Sequence, residues 1–438
     1  MLDATPYLAT AAAVPVGQMV GRVARVVGLT IEGRGIGAPI GDLVAIERAG
    51  MSELPAEVVG FKEGAALMMP LGDADGLVPG ARVRPLHRKV SVGAGRQLLG
   101  RVLDALGQPI DGVGPVGPTV EVPLLRDAPS PMDRRPIDAA LQTGVSVIDA
   151  FLTIGRGQRV GIFAGSGVGK STLLGDISRE SLSDVNVIAL IGERGREVGD
   201  FIHDVLGVEG MKRSIVVVAT SDSPPLLRIK AAYTAVALAE WFRDAGKDVM
   251  LMLDSVTRFA AACREVGLAL GEPPTVKGYP PSFFGMIPRL VERLGRGKTG
   301  SITGLFTVLV DGDDMNDPVA DTLRGLLDGH IVLSRAIARQ RFPAVDVAGS
   351  VSRIMDRVVA PEHADAARSV RRVLATFEDA KDLISVGAYK AGADARIDRA
   401  VKLMPDVDGL LTQRTGHGRP FADTIGRLRD IAARAEGA

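Results

Sequence analysis

Three successive patterns of apolar and polar residues divide the chain. From Val20 to about Arg82, short alternating apolar segments are broken by glycine and proline, which predicts the strands of a small β-barrel. From Leu141 to about Val359, apolar runs typical of buried strands alternate with helical periodicity, which predicts a mostly parallel sheet with helices on both faces. The periodicity is helical afterwards. We therefore predict an N-terminal β-barrel with a short tail over residues 1–83, an α/β domain over 84–359 and a C-terminal helical domain over 360–438.

Within these domains, the positions of glycine and proline predict where individual elements begin and end. The proline- and glycine-rich stretch from Pro85 to Pro136 is interpreted as the connection between domains together with the entry strands of the second domain. Ala231–Ala245 is helical in period, and Gly246 stands where a helix C-cap belongs. The C-terminal helices are predicted to be separated at Gly387, at Gly392 and near Pro405.

Acidic residues follow several of the predicted buried strands. The strands are expected at Val160–Phe163, Val185–Ile191, Ser214–Ala219, Val249–Leu253 and Ser301–Val310. Asp254 and Asp311 come directly after two of them, and Glu193 follows Val185–Ile191 after one intervening glycine. Ligands of open α/β sheets bind outside the carboxyl ends of the strands. These acidic residues are therefore expected to converge on one site.

A glycine-rich turn follows the first of these strands and leads into a helical pattern. In such a turn, successive backbone N–H groups point into one concavity and cradle phosphate oxygens, with the positive end of the helix dipole behind them. The lysine of this motif reaches the β- and γ-phosphates and the following hydroxyl binds Mg²⁺. Ala164 stands at the first motif position, where glycine is usual. The predicted nucleotide-binding residues are Gly165, Ser166, Gly167, Val168, Gly169, Lys170, Ser171 and Thr172.

The residues around this loop predict ATP hydrolysis with Mg²⁺. Asp254 would hold Mg²⁺ through its water ligands, together with the Ser171 hydroxyl. Glu193 would orient or polarise the attacking water. Taken alone, Asp254 would be a helix-capping residue and Glu193 a surface charge, but their positions after buried strands favour the catalytic roles. Among nearby cations, Arg194 and Arg258 are preferred over Arg196 as partners of the phosphates.

Composition narrows the remaining classes. The chain has 438 residues, 46% of them hydrophobic and 24% charged, with zero net charge and the single cysteine Cys263, so a disulfide framework is excluded and a reducing cytoplasm is favoured. No apolar run approaches the length of a membrane span. The first fifteen residues lack the basic start of a secretory signal, and we expect them to form a short amphipathic helix or a frayed tail. The chain through Arg82, which includes the predicted barrel, has six basic and nine acidic residues and two aromatic residues, Tyr7 and Phe61. An acidic surface with few aromatic side chains is unfavourable for nucleic-acid binding, so this composition favours protein–protein contact.

The segment from Arg341 to Arg353, RFPAVDVAGSVSR, resembles the signature of the α/β ATPase family, the catalytic heads of rotary ATP synthases. The segments IGERGREVGDFI, GEPPTVKGYPPSFFGMIPRLVER and DGDDMNDPVADTLRGLLDGHIVLSR are similar to those of its flagellum-specific type III export ATPases, and GAYKAGADARID favours that flagellar branch. The resemblance implies a RecA-like P-loop core, in which Phe342 packs on adenine. It also implies that Arg353 reaches the nucleotide of the neighbouring subunit and that Gly278–Ser282 lines a central pore.

The same resemblance implies an assembly and a set of partners. It predicts a homohexamer with nucleotide sites between subunits, in the cytoplasm at the inner-membrane export apparatus. The implied partners are a regulatory stator-like protein at the N-terminus, a central stalk protein, the export gate membrane proteins, and export substrates with their chaperones; no nucleic acid is expected.

Four other functions remain open on the sequence. The nearest is the same ATPase in a virulence-type injectisome, which effector secretion rather than swimming would reveal. A hexameric RNA translocase shares the core but would need RNA-stimulated hydrolysis. A non-catalytic nucleotide-binding subunit conflicts with the joint presence of Lys170, Glu193 and Arg353. A proton-driven synthase head is less favoured because a homohexamer would need different partners.

Overall fold

A computed structural model describes residues 20–310 and 314–437. The first residues of the chain, for which a helix or a frayed tail is expected, and Asp311 lie outside the described residues. Within the described ranges, no helix combines the length and the apolar character needed to cross a bilayer.

The N-terminal unit is a closed six-stranded antiparallel barrel in the order β1-β2-β5-β4-β3-β6. Its interior is filled by alternating apolar residues such as Val44, Val58 and Met68, so the predicted barrel is confirmed. The predicted boundary after residue 83 falls inside β6. The strands are β1 Gly21–Val27, β2 Thr30–Arg34, β3 Asp42–Ile46, β4 Leu54–Lys62, β5 Ala65–Pro70 and β6 Arg82–Lys89.

The position of β6 changes the charge balance of the barrel. This strand adds Arg84, Arg88 and Lys89, so residues 20–89 carry nine Lys and Arg against eight Asp and Glu. The acidic excess counted through Arg82 therefore does not describe the folded barrel. Phe61 remains the single Phe, Tyr or Trp in this range, so the shortage of stacking side chains still disfavours single-stranded nucleic acid.

The central domain is built on one large sheet in the order β19-β18-β12-β17-β15-β13-β14-β8, with β16 paired to β17. All neighbours are parallel except the β18–β19 and β16–β17 pairs, which confirms the mostly parallel sheet. The 85–136 connection supplies β8 at one sheet edge and a small β7–β9 ladder. The strands are β7 Ser91–Ala94, β8 Val102–Leu103, β9 Val120–Pro123, β10 Ala140–Leu141, β11 Ile154–Gly155, β12 Arg159–Ala164, β13 Val185–Ile191, β14 Ser214–Ala219, β15 Asp248–Asp254, β16 Gly295–Arg296, β17 Ser301–Leu309, β18 Gly329–Leu333 and β19 Val345–Ser352.

Helices cover both faces of this sheet because its strands are apolar on both sides. In β13, Val187 faces a core shared with Leu238, whereas Ile188 faces a second core shared with Leu174. A π-helix, Phe201–Leu206, separates the third and fourth α-helices. The α-helices of this domain are α1 Ser146–Phe151, α2 Lys170–Glu180, α3 Gly195–Asp200, α4 Gly207–Met211, α5 Pro225–Asp244, α6 Val256–Ala269, α7 Pro281–Glu292, α8 Pro318–Leu326, α9 Arg335–Ala338 and α10 Met355–Val358.

Three helices form the C-terminal domain, namely α11 Pro361–Ser385, α12 Ala395–Leu411 and α13 Phe421–Glu436. They share the core of the face that carries α2, through residues such as Val370, Leu403 and Leu428. The break predicted near Pro405 is wrong, because this proline lies inside α12. It removes one backbone hydrogen bond, but buried side chains on both sides of it, Leu403 and Val407, keep the helix packed. The chain leaves α12 only after Leu411.

Candidate functional site

The glycine-rich turn adopts the strand–loop–helix geometry of a phosphate-binding loop. It leaves β12 at Ala164 and enters helix α2, which begins at Lys170. Gly167 and Gly169 have φ values of 78° and 85°, a left-handed backbone conformation that favours glycine at both positions. Ser166, Gly167 and Ser171 are exposed along the loop and the first turn of α2. The loop therefore presents an open anion-binding concavity at a helix N-terminus.

Ala164 replaces a glycine without cost to this geometry. It is the last residue of β12 and pairs with Leu309 on one side and Leu333 on the other. Ala164 has the extended backbone of a strand, which any residue can adopt, so this position does not need glycine. Its side chain is 1% exposed and packs in the core. The turn itself begins only at Gly165, which is buried.

The structure brings Lys170, Glu193 and Asp254 together at the carboxyl edge of the sheet. The Lys170 ammonium forms an ion pair with Asp254 Oδ1 and lies 3.8 Å from Glu193 Oε1. The exposed fractions of these three side chains are only 11%, 17% and 3% in the order Lys170, Glu193, Asp254. Ion pairs shielded from water in this way interact more strongly than surface pairs. Two predicted catalytic groups and one predicted metal-binding group thus form one cluster.

The environment of Glu193 raises the pKa of its carboxyl. Its pKa is raised to about 7, first because the group is partly buried and then because the Asp254 carboxylate is close; the Lys170 ammonium opposes the rise. Glu197 contributes to the rise through a hydrogen bond with Glu193, and the pKa of Glu197 is itself lowered by that bond. A carboxylate whose pKa lies near neutral pH is a better proton acceptor than an ordinary glutamate.

Thr307 belongs to the site and was missed from the sequence. Its hydroxyl, on β17, donates a 2.7 Å hydrogen bond to Asp254 Oδ1. The bond fixes the carboxylate of a neighbouring strand, because Thr307 is fully buried. A threonine inside the otherwise apolar run LFTVLV was the available signal. Glu197 was also missed, since nothing in the sequence marks which glutamate of GERGREVGD faces the site.

The donor groups beside the loop fit Mg²⁺ bound to a nucleotide. In the described part of the chain, no group of three or more His, Cys, Asp or Glu residues could hold a metal without other ligands. Mg²⁺ in nucleotide sites is held by one or two protein oxygens, with phosphates and water completing its shell. The exposed Ser171 hydroxyl at the first turn of α2 and the Asp254 carboxylate provide such oxygens.

The predicted arginines occupy different places. The side chain of Arg258, on α6, packs against Gly192, the residue before Glu193. A Cβ on this glycine would lie 2.8 Å from Arg258 Cβ. Arg194 is 82% exposed and lies 3.7 Å from Glu197, and Arg196 is 90% exposed beside Asp200. Arg258 therefore lies beside the site, whereas Arg194 and Arg196 extend into solvent within one subunit.

Phe342 lies directly beside the phosphate loop. A Cβ on Gly169 would be 3.6 Å from two carbons of the Phe342 ring. The Phe342 carbonyl accepts a 2.8 Å hydrogen bond from the backbone N–H of Gln413, in the loop between α12 and α13. A half-buried aromatic ring at this distance from the loop is suitably placed to stack on a base.

Arg353 is at the opposite edge of the sheet. Its backbone N–H bonds to Asp328 O, and the N–H of Asp328 bonds to Arg159 O at the start of β12. From Arg159 to Gly165 the chain advances about 20 Å along the strand. The exposed Arg353 guanidinium, which donates to Arg324 O at 3.2 Å, therefore cannot reach the phosphate loop of its own subunit.

The predicted pore loop is partly packed. Tyr279 is 7% exposed, with its ring centroid 5.2 Å from that of Phe283, and Thr275 donates a 2.6 Å hydrogen bond to the Tyr279 carbonyl. Lys277, with φ of 48°, lies 3.2 Å from Asp314 in the segment after β17. The loop is thus held to the carboxyl edge of the sheet, where the nucleotide-binding residues lie.

Comparison with known proteins places each domain. The model of the ATP synthase alpha/beta family nucleotide-binding domain matches residues 144–352, and that of the family's β-barrel domain matches 23–87. Residues 359–430 match the T3SS EscN ATPase C-terminal domain.

Relatives are similar over almost their whole length. The flagellum-specific ATP synthase of Bacillus subtilis is 51% identical, covering 95% of this chain and 96% of the relative. The type 3 secretion system ATPase of Xanthomonas euvesicatoria is 46% identical, covering 98% and 99%. The solved structure of the assembled ATPase EscN from the type III secretion system of enteropathogenic E. coli is 41% identical, with a TM-score of 0.89 over 94% of this chain and all of that one.

These matches agree with the chemistry of the site. The phosphate loop, the buried Lys170–Asp254 pair and the adjacent Glu193 have the geometry expected of an ATP-hydrolysing site. The chain is therefore an ATPase that belongs to the ATP synthase alpha/beta family, within its type III export branch.

Proposed function

We propose that this ATPase acts as a homohexameric ring that energises or gates protein export through a flagellar type III apparatus. The observation that carries the ATP-hydrolysing part of the proposal is the convergence of Lys170, Glu193 and Asp254 beside the phosphate loop. The solved structures of EscN, one assembled and one in complex with its central stalk EscO, support a ring and a stalk partner for this chain.

In this proposal Lys170 and the loop backbone bind the ATP phosphates. The Lys170 ammonium exchanges its contact with Asp254 for the β- and γ-phosphates, because both are anionic partners within its reach. Ser171 and Asp254 would hold Mg²⁺, Asp254 acting through water, and the hydrogen bond from Thr307 fixes the Asp254 carboxylate. Bound Mg²⁺ supplies neutralisation of charge on the transferring phosphoryl group.

Glu193 orients the attacking water and accepts its proton. Its position 3.8 Å from the lysine that binds the γ-phosphate brings the carboxylate to the correct side of the loop. Its raised pKa makes proton acceptance near pH 7 more favourable than for an ordinary glutamate. Arg258, packed on Gly192, provides a nearby cation, while the exposed Arg194 would contribute only from an interface between subunits.

Arg353 acts in the neighbouring subunit. It is exposed and about 20 Å of strand away from its own phosphate loop. An arginine that stabilises the transferring phosphoryl group can be supplied in trans. In a ring of identical subunits every interface repeats the same contact, so each site would combine one subunit's Glu193 with the next subunit's Arg353.

The flagellar assignment rests on the relatives and on the sequence GAYKAGADARID near the start of α12. We further propose that the protein works in the cytoplasm at the inner-membrane export apparatus. Its partners there would be a regulatory protein at its N-terminus, a central stalk protein, the export gate, and substrates with their chaperones.

The proposal is tested in a strain whose only copy of the gene carries Glu193→Gln. We expect no swimming through soft agar and no hook or filament protein in the medium, as in a deletion strain. Glu209→Gln is the matched control, because Glu209 is 79% exposed on α4 and its ion pair with Lys212 lies at the surface. Normal swimming with Glu193→Gln would contradict the flagellar assignment.

An injectisome ATPase is the second candidate. The observation that favours it is the 46% identity to the Xanthomonas enzyme and the close structural match to EscN. In that case the Glu193→Gln strain would swim normally but would fail to secrete effector proteins.

A further inference from the structure

The chain between Glu193 and Arg213 runs along the whole length of the P-loop helix α2. It comprises α3, the π-helix Phe201–Leu206 and α4, and it leads from the end of β13 to the start of β14. We call residues 193–213 the bracing segment. It contacts α2 at the beginning, the middle and the end of that helix.

The first contact is the catalytic one. Glu193, at the start of the bracing segment, lies 3.8 Å from Lys170, the first residue of α2. This side-chain contact involves flexible groups. It cannot by itself fix the distance between the backbone of the bracing segment and that of the helix.

The second contact is a close approach at the middle of α2. Gly175 faces Val205 of the π-helix; a Cβ on Gly175 would overlap Val205 Cγ1 and would lie 3.3 Å from both Val205 Cβ and the Val205 carbonyl oxygen. Phe201 and Leu206, on the same π-helix, are buried in one core with Leu173, Leu174 and Ile177 of α2. π-Helical turns are rare and occur frequently at functional sites.

The third contact caps the end of α2. The Arg213 guanidinium donates four hydrogen bonds to backbone carbonyls: to Ser178 at 2.6 Å, Arg179 at 2.7 Å, Ser181 at 2.7 Å and Ser183 at 3.1 Å. The last carbonyls of a helix have no partner within the helix, and a cation there also complements the helix dipole. Two of these carbonyls, those of Ser178 and Arg179, belong to the last turn of α2, so Arg213 ties the end of the bracing segment to the end of that helix.

We propose that the bracing segment positions Glu193 relative to Lys170, with Gly175 and Arg213 as positioning residues for ATP hydrolysis. Since the segment is fixed to α2 at its middle and end, the helix that carries the phosphate-binding lysine and the residue that orients water move as one body. This inference rests on the proposed role of Glu193. It predicts that a change at Gly175, about one and a half helical turns from Lys170, alters turnover without altering nucleotide binding.

The test is a set of substitutions assayed for kcat and for the Kd of ATP. Gly175→Ala pushes Val205 and the bracing segment away from α2, and we expect kcat to fall about tenfold or more with a Kd within about threefold of the wild type, because small displacements of a catalytic group are costly. Adding Val205→Ala removes the overlapping methyl groups, so the double variant should recover most of the lost kcat. Gly199→Ala is the matched control: it is another helical glycine of this region, and a Cβ there meets no atom within 4 Å.

A second variant covers the case in which Gly175→Ala does not fold. Arg213→Gln removes most of the donors to the end of α2 and should also lower kcat more than it weakens ATP binding. Unchanged kcat in the folded variants, or kcat and binding lost together without recovery in the Gly175→Ala/Val205→Ala pair, would overturn the inference. The kcat values of these variants are compared with that of Glu193→Gln. If Glu193→Gln hydrolyses ATP normally, it is the proposed role of Glu193 that fails, rather than the role of the bracing segment.

Discussion

The Lys170 ammonium lies 3.8 Å from the Glu193 carboxylate, although the two residues belong to different strand–helix connections. The order of the parallel strands brings them together, because only β17 and β15 lie between β12 and β13 and both of these strands end at the same edge of the sheet. Asp254, at the end of β15 between them, completes the cluster. The proposed phosphate-binding group, proton acceptor and metal-binding carboxylate thus occupy a single edge.

Glu193→Gln should separate ATP binding from hydrolysis. The amide keeps the size of the side chain but cannot accept a proton, so we expect kcat to fall about 100-fold or more. The Kd for a fluorescent ATP analogue should stay within a few-fold of wild type, because phosphate binding depends on Lys170 and the loop. Glu209→Gln should behave like the wild type. Hydrolysis near the wild-type rate in Glu193→Gln would remove Glu193 from the mechanism.

Thr307→Val should alter the response to Mg²⁺. The substitution removes the 2.7 Å hydrogen bond to Asp254 and leaves the carboxylate less firmly oriented, at a cost of about 1–3 kcal/mol in stability. We expect a higher Mg²⁺ concentration for half-maximal ATP hydrolysis. Thr303→Val is the control, since Thr303 lies on the same strand but accepts from Gly157 N at the other end of the sheet. The same Mg²⁺ dependence in both variants would contradict the role of Thr307.

Phe342→Ala should weaken ATP binding rather than catalysis. Stacking of a base on an aromatic ring contributes about 1–3 kcal/mol, which corresponds to roughly a 5- to 150-fold rise in Kd. Phe342→Tyr keeps the ring and should bind ATP like the wild type. Steady-state kinetics and equilibrium binding measure both effects. Unchanged Kd in Phe342→Ala would show that the ring beside Gly169 does not contact the base.

Asp111→Asn should destabilise the central domain in a pH-dependent way. Arg101 donates to both carboxylate oxygens of Asp111, at 2.7 and 2.8 Å, and holds the pKa of this carboxyl far below its usual value. Because the folded-state pKa is the lower one, the stabilisation is complete above the unfolded pKa of about 3.9 and is lost as pH falls further. The melting temperature of the variant should therefore lie below that of the wild type by a constant amount from pH 8 to 5. The gap should narrow below about pH 4. A difference in melting temperature between the variant and the wild type that is as large below pH 4 as at pH 7 would contradict this account.

Much of this architecture could be predicted from the sequence because it depends on local pattern. The bounds of β13 and β14 match the predicted runs, since each is a mostly apolar segment followed by glycine or polar residues. The barrel and the phosphate loop were recognised for the same reason. Glu193 and Asp254 could be predicted because each lies at the carboxyl end of a buried strand, and Lys170 because it closes the glycine-rich loop that follows β12.

What the sequence did not reveal depends on tertiary contacts. Pro405 was read as a helix break, but the packing of Leu403 and Val407 keeps α12 continuous. The predicted acidic excess of the barrel is wrong because β6 extends to Lys89 and adds basic residues to the folded barrel. Thr307 and Arg213 act through partners on other strands and helices, and no local spacing marks such pairs.

The most direct test of a nucleotide site shared between subunits is to mix two inactive variants. Glu193→Gln and Arg353→Ala, co-expressed with different tags and isolated as mixed rings, should regain ATP hydrolysis. In a random mixture about a quarter of the interfaces pair an intact Glu193 with an intact neighbouring Arg353, so we expect up to that fraction of wild-type activity. Arg357→Ala, at an exposed position four residues away, should be active alone. Verified mixed rings with no more activity than either variant alone would contradict the account, because Arg353 would then not complete the neighbouring site.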